Sequence, residues 1–120
     1  MLNCIIVGFG GFFGAVCRYL IGLIPLREST LFPIKTFGIN LLGCALIALI
    51  IAAAAKETGL PPKAELFLKA GFCGGFTTFS TFAAETAALI QQGHIGIAAV
   101  YAVLSVLVGV GIVFALQFMQ

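Results

Sequence analysis

The chain has 120 residues, of which 62% are hydrophobic and only 8% are charged. Such a composition leaves too few polar side chains to cover a soluble globule, so it excludes a soluble catalytic domain and indicates an integral membrane protein that is not an enzyme. The six basic and four acidic residues give a formal net charge of +2 without any basic run, which makes nucleic acid a poor candidate partner.

The first predicted element is an apolar run over about residues 2–24, which ends at Pro25. A bilayer span needs about 20 apolar residues, so this run is long enough to cross a membrane. It follows an N-terminus without the positive charges of a signal peptide, and we expect a retained span. Its one charged residue, Arg18, either reaches the membrane interface or holds positive potential at an anion entrance.

Three further apolar runs follow, over about residues 34–55, 66–90 and 95–118. A Gly and two Pro residues separate the second run from the third, because they interrupt any helix there. The sequence therefore predicts one all-α domain over residues 1–120 with four transmembrane helices.

Small side chains recur within these runs and would allow two helix backbones to approach closely, although Gly and Ala are also common in membrane helices in general. The candidates are Gly10 and Gly14 in the first run, Gly43, Ala48 and Ala52 in the second, and Gly109 and Gly111 in the fourth. The cysteines show no C-x-x-C spacing, so we predict four small buried residues rather than metal ligands: Cys4, Cys17, Cys44 and Cys73.

The third run contains the sequence Gly-Gly-Phe-Thr-Thr-Phe-Ser-Thr-Phe at residues 74–82. Adjacent glycines followed by β-branched threonines weaken a helix, so we predict a break from Gly74 to Thr78 near the middle of the membrane. Irregular backbone at that depth must be satisfied by protein, by water or by an ion. A bound cation that uses the freed carbonyl groups is one way to satisfy it.

After the break, Phe79, Phe82 and Glu85 are spaced three residues apart and share one helix face. Such a stripe most often packs in a core. Here hydroxyl side chains are interleaved with it, and Asn40 supplies an amide in the second run. Aromatic ring edges are electropositive, so ring edges beside such donors could replace the water around a small anion such as fluoride. Glu85 is either a neutral hydrogen-bonded acid or a group at a wet vestibule.

In the fourth run, Tyr101 and Ser105 are four residues apart and lie on one face, which Gly109 continues without a donor. Each hydroxyl either lines a pore or joins two helices.

The distribution of the basic residues predicts almost no preferred orientation in the membrane. Three would lie on each side: Lys56, Lys63 and Lys69 on one, and Arg18, Arg27 and Lys35 on the other. A chain with so little bias could insert both ways up, and two opposite copies could pair about a two-fold axis in the membrane plane. We therefore expect a dual-topology, antiparallel homodimer.

The chain resembles the Fluc/CrcB family of fluoride channels along its whole length. The most specific likeness is the run at residues 74–82, supported by Asn40 within Gly-Ile-Asn-Leu-Leu-Gly and by Arg18 late in the first span. The resemblance implies a passive, fluoride-selective homodimeric channel in the inner membrane of a prokaryote, which lowers the toxicity of fluoride by letting it leave the cytoplasm.

The resemblance also implies roles for individual residues. The pore would be lined by Asn40, Phe79, Phe82, Ser80, Thr81, Tyr101 and Ser105, with Arg18 and Glu85 at the vestibule. The backbone carbonyl groups of Gly74 and Thr77 would hold a structural sodium ion at the dimer centre. Gly109 departs from the hydroxyl residue of some relatives.

Two other functions compete with this hypothesis. A small dual-topology multidrug exporter also has four spans, but it would be expected to carry an acidic residue in the first span, where this chain has only Arg18. A purely structural bundle is the second alternative, and it would not explain the polar residues of the third run.

Overall fold

A computed structural model describes residues 1–27 and 30–119 of the chain, and all of its regular structure there is helical. Three helices are long and apolar enough to cross a membrane: α1 (Leu2–Gly22), α2 (Ile34–Ala54) and α6 (Ile95–Phe118). Their bounds lie within two residues of the predicted runs 2–24, 34–55 and 95–118. The composition and the length of these helices together identify a membrane protein.

The third apolar run forms several helical pieces rather than one helix. It consists of α3 (Pro62–Leu66), a π-helix (Phe67–Cys73), α4 (Gly74–Phe76) and α5 (Phe79–Gln91), with two extended residues before α5. We call residues 62–91 the broken segment. It begins four residues before the predicted run, because Pro62 takes the first helical position, where a missing amide proton costs nothing.

Helix α1 packs along the first half of the broken segment through glycines. A Cβ added to Gly10 would meet the backbone of Phe67 and Gly71, and one added to Gly14 would meet the backbone of Phe72. The backbones approach this closely only because these positions lack side chains, which confirms the predicted role of Gly10 and Gly14.

Helices α2 and α6 pack against each other on the other side of the broken segment. Gly109 lies under Cys44, where an added Cβ would come within 3.2 Å of the Sγ atom, and Gly43 lies under the methyl group of Thr77. By contrast, nothing lies within 4 Å of a Cβ added to Gly111. The second, third and fourth predicted runs thus meet around the break in the third.

Most of the outer surface of the single chain is apolar, with exposed side chains such as Phe9, Phe12 and Leu107. Such a surface suits lipid or a second subunit. The prediction of four buried cysteines is wrong for Cys4, which is exposed, because it lies on the first turn of α1. Of the four cysteines, only Cys73 is fully buried, beside the break.

Candidate functional site

The break in the broken segment consists of Thr77 and Thr78. Both have extended backbones, with ψ of 157° at Thr77 and φ of −147° at Thr78. The prediction of a break from Gly74 to Thr78 is therefore too wide, since Gly74–Phe76 is helical. Gly75 instead provides space for α1, because a Cβ there would meet the backbone of Gly11.

The side chain of Asn40 on α2 binds both the amide and the carbonyl group of Thr78 in the break. Its Nδ2 donates to the carbonyl oxygen of Thr78 over 3.1 Å, and its Oδ1 accepts from the amide of Thr78 over 2.8 Å. One side chain thus replaces two hydrogen bonds that the interrupted helix lacks. Since a carboxamide nitrogen carries two protons, Asn40 retains a second donor. Its predicted role toward an anion stays a prediction.

The same contacts divert the amides that a continuous helix would use. The Thr78 amide, the helical partner of the Gly74 carbonyl, donates to Asn40 instead. The Thr81 amide, four residues after Thr77, donates to the side chain of Thr78. Gly74 and Thr77 therefore present carbonyl groups at a helix interruption, without their helical donors.

Backbone carbonyl oxygens at an unwound helix in a membrane are ligands suited to a sodium ion. The residues present thus fit the predicted cation in their chemistry. Gly74 is exposed on the surface of the single chain.

Arg18 on α1 contacts the third carbonyl group of this region. Its Nε donates to the oxygen of Gly75 over 3.2 Å. The guanidinium is therefore directed toward the break rather than along α1 to the interface, and it satisfies a carbonyl group that Phe79 would bind in a continuous helix. The predicted vestibule role of Arg18 stays a prediction.

Hydroxyl groups organise the start of α5. The Oγ1 of Thr78 caps the helix by accepting from the amide of Thr81 over 3.2 Å, and it donates to the Oγ1 of Thr81 over 3.0 Å. Ser80 lies beside them on the surface, with its hydroxyl 3.4 Å from that of Thr78. Ser80 and Thr81 thus form one hydroxyl cluster with Thr78, the last residue of the predicted break.

A groove of about 430 Å³ runs past the break and collects many of the predicted pore residues. Its wall includes Asn40 from α2, Phe79 and Phe82 from α5, and Ser105 from α6. The two phenyl rings are neighbours, with centroids 5.7 Å apart, as their spacing predicts. The hydroxyl of Ser105 is buried and has no hydrogen-bond partner within residues 1–27 and 30–119. Its donor is therefore unused within the described part of the chain.

Glu85 lies farther along α5, where two hydroxyl groups hold its carboxyl. Thr36 donates to its Oε1 over 2.7 Å, and Tyr101 donates to its Oε2 over 2.7 Å. Sequence reasoning missed Thr36, although it precedes Asn40 by four residues and so shares its face of α2. Glu85 and Thr36 also line a second cavity of about 320 Å³. Glu85 therefore lies at a cavity other than the groove.

The ring of Tyr101 joins this cluster to the groove. It is fully buried and meets the ring of Phe82 edge to face, with centroids 5.0 Å apart. Phe82 also lines the groove. A line of contacts therefore extends from the groove through Phe82 and Tyr101 to Glu85.

Comparison with known proteins gives one family and many relatives. The family model "CrcB-like protein, Camphor Resistance (CrcB)" matches residues 5–116. A fluoride-specific ion channel of Chlorobaculum tepidum is 45% identical over 115 residues, which are 96% of this chain and 91% of the relative. Channels of the same name from Methylobacillus flagellatus and Granulibacter bethesdensis are 40% and 43% identical, over 91% and 92% of this chain and 87% and 88% of their own lengths.

Proposed function

The chain belongs to the CrcB family, and we propose that it is a passive fluoride-selective ion channel of a prokaryotic inner membrane. It lets fluoride leave the cytoplasm and so lowers fluoride toxicity. The single observation that carries this proposal is the groove beside the break, which unites the amide of Asn40, the free hydroxyl of Ser105 and the rings of Phe79 and Phe82. Sequence identity to fluoride-specific channels supports it independently.

The chemistry of the groove suits a small anion that must lose water to cross. Burying an anion is costly unless donors replace its hydration shell. Here the donors are neutral: an amide proton of Asn40, the hydroxyl of Ser105 and the positive edges of two rings. Neutral donors release an anion more readily than a fixed positive charge would, and conduction requires release as well as binding.

Glu85 would define the other end of the route. Its two oxygens accept from Thr36 and Tyr101, so those hydroxyl protons are directed at the carboxyl. A fluoride ion that leaves the Phe82 ring would reach these two donors next, since Tyr101 contacts both Phe82 and Glu85. We propose that the hydroxyls of Thr36 and Tyr101 move between the carboxyl and the passing ion.

We propose further that four spans cross the membrane and that two copies pair in opposite orientations. The support is the surface at the break: Phe79 is 80% exposed in the single chain although it lines the groove. A phenyl ring directed at the pathway would be covered by a second subunit. Labelling the termini of single molecules tests this, because a single orientation in all molecules would contradict the antiparallel dimer.

We also propose that the carbonyl groups of Gly74 and Thr77 from both copies hold a sodium ion. The ion would supply positive charge to carbonyl oxygens whose helical donors are diverted to Asn40 and Thr78. Two side chains would position the backbone around the ion. Asn40 binds the backbone of the break, and Arg18 binds the Gly75 carbonyl and so keeps it away from the ion.

A multidrug exporter is the alternative function. Such a protein would need a carboxyl group in the first span for proton coupling, but α1 carries Arg18 as its one charged residue.

Efflux from proteoliposomes tests the proposed function directly. Purified protein is reconstituted, and fluoride and chloride efflux are measured with ion-selective electrodes under the same gradient. We expect rapid fluoride efflux without added energy and far slower chloride efflux. Equal fluxes of the two ions, or no flux of either, would contradict a fluoride-selective channel.

A further inference from the structure

Lys69 is the one charged side chain among the described residues that line the groove. It lies on the π-helix (Phe67–Cys73), five residues before Gly74. Both Lys69 and Gly74 line the groove. The groove therefore places a positive charge beside the same pathway as the neutral donors.

The position of Lys69 suits the mouth of the pathway. Lys69 precedes Thr77 by eight positions, which corresponds to at most about 12 Å at the rise of an α-helix. With the break at mid-membrane, this distance brings Lys69 near the edge of a hydrocarbon core about 30 Å thick. Its side chain is 44% exposed, so the ammonium group can remain in water while the stem lies along the groove.

One acidic group moderates the charge of Lys69. Its Nζ lies 3.5 Å from the Oε1 of Glu65, one helical turn earlier, and the Glu65 side chain is 35% exposed. An exposed pair at this distance contributes little to stability, but the carboxylate offsets part of the attraction of Lys69 for an anion. Glu65 does not line the groove, which leaves the two charges at different distances from the ion.

We propose that Lys69 is an electrostatic entry residue, which raises the local concentration of fluoride at one mouth of the groove and is opposed by Glu65. The proposal rests on the proposed function. Two unit charges about 12 Å apart, in an effective dielectric constant between about 20 and 80, attract enough to change occupancy by about two- to tenfold. Lys69 thus sets how fast fluoride enters at low concentration, whereas the neutral donors set which anion passes.

The experiment measures initial fluoride efflux from proteoliposomes at low fluoride concentration. Lys69→Gln should lower the rate about two- to tenfold, Lys69→Arg should retain it, and Glu65→Gln should raise it. Lys63→Gln is the matched control, because Lys63 is an exposed lysine on the same segment that does not line the groove. Raising ionic strength from about 0.01 M to about 1 M shortens the Debye length from about 30 Å to about 3 Å, so the differences between variants should nearly vanish.

Three outcomes would overturn the role of Lys69. They are a Lys69→Gln rate equal to that of Lys63→Gln, a loss that persists in about 1 M salt, where the charges are screened, and a decrease in Glu65→Gln. If Lys69→Gln does not assemble, the rise expected for Glu65→Gln still tests the proposal. Absence of fluoride flux in the unmodified protein would instead contradict the channel function itself, so the two failures are distinguishable.

Discussion

The side-chain amide of Asn40 and the backbone of Thr78 exchange two hydrogen bonds, of 3.1 and 2.8 Å, across the gap between two helices. The pair lets the chain leave helical geometry inside an apolar environment without an unsatisfied amide at Thr78. It also releases the carbonyl of Gly74 from its helical donor. One side chain of α2 therefore binds both backbone groups of Thr78 and takes the donor that the Gly74 carbonyl would have in a continuous helix.

Asn40→Ala should reduce both stability and fluoride flux. It leaves the amide and carbonyl groups of Thr78 unpaired, and each buried unpaired group costs about 1–3 kcal/mol. Asn40→Asp keeps an acceptor for the Thr78 amide but no donor for its carbonyl, so an intermediate loss of stability is expected. Thermal unfolding in detergent measures the effect, and an unchanged midpoint for Asn40→Ala would show that the break does not depend on this side chain.

Phe79→Ile and Phe82→Ile should each reduce fluoride flux by about tenfold, which corresponds to about 1.4 kcal/mol in the barrier. Isoleucine retains apolar contact but has no electropositive ring edge to face the ion. Phe9→Ile is the control, since Phe9 is an exposed phenylalanine of α1 outside the groove. Flux is measured by fluoride electrode and the oligomeric state by size-exclusion chromatography. Unchanged flux in both variants would restrict these rings to packing.

Thr36→Val should slow fluoride flux while it keeps the shape of the side chain. The variant removes the donor to Glu85, and a typical intramolecular hydrogen bond contributes about 0.5–1.5 kcal/mol. Thr86→Val is the matched control, because the Thr86 hydroxyl donates to the backbone of Phe82 within α5. A double-mutant cycle with Glu85→Gln measures the coupling. Independent effects of Thr36→Val and Glu85→Gln would contradict a shared role for the two residues.

Sodium should stabilise the assembled protein more than potassium or a large organic cation does. A ligand that binds only the folded state at about 100 times its dissociation constant adds about 2.7 kcal/mol to the free energy of unfolding. Thermal unfolding in matched chloride salts measures this separately from ion flux. Identical midpoints in all three salts would argue against a sodium site at Gly74 and Thr77.

The sequence by itself determined the solvent, the helical class and the bounds of three helices, because long apolar runs that end at Pro and Gly can satisfy their backbones in lipid only as helices. It also predicted that Phe79 and Phe82 are neighbours, since local spacing on a helix fixes which side chains share a face.

The tertiary structure determined the contacts between the helices. It narrowed the predicted break from residues 74–78 to Thr77 and Thr78, because Gly75 lies in a helix where α1 approaches and Asn40 binds the backbone of Thr78. It also joined Thr36 to Glu85 and directed Arg18 at Gly75. These contacts link residues 49 and 57 positions apart in sequence. No periodicity along the chain encodes such pairings, since they depend on how α1 and α2 pack against the broken segment.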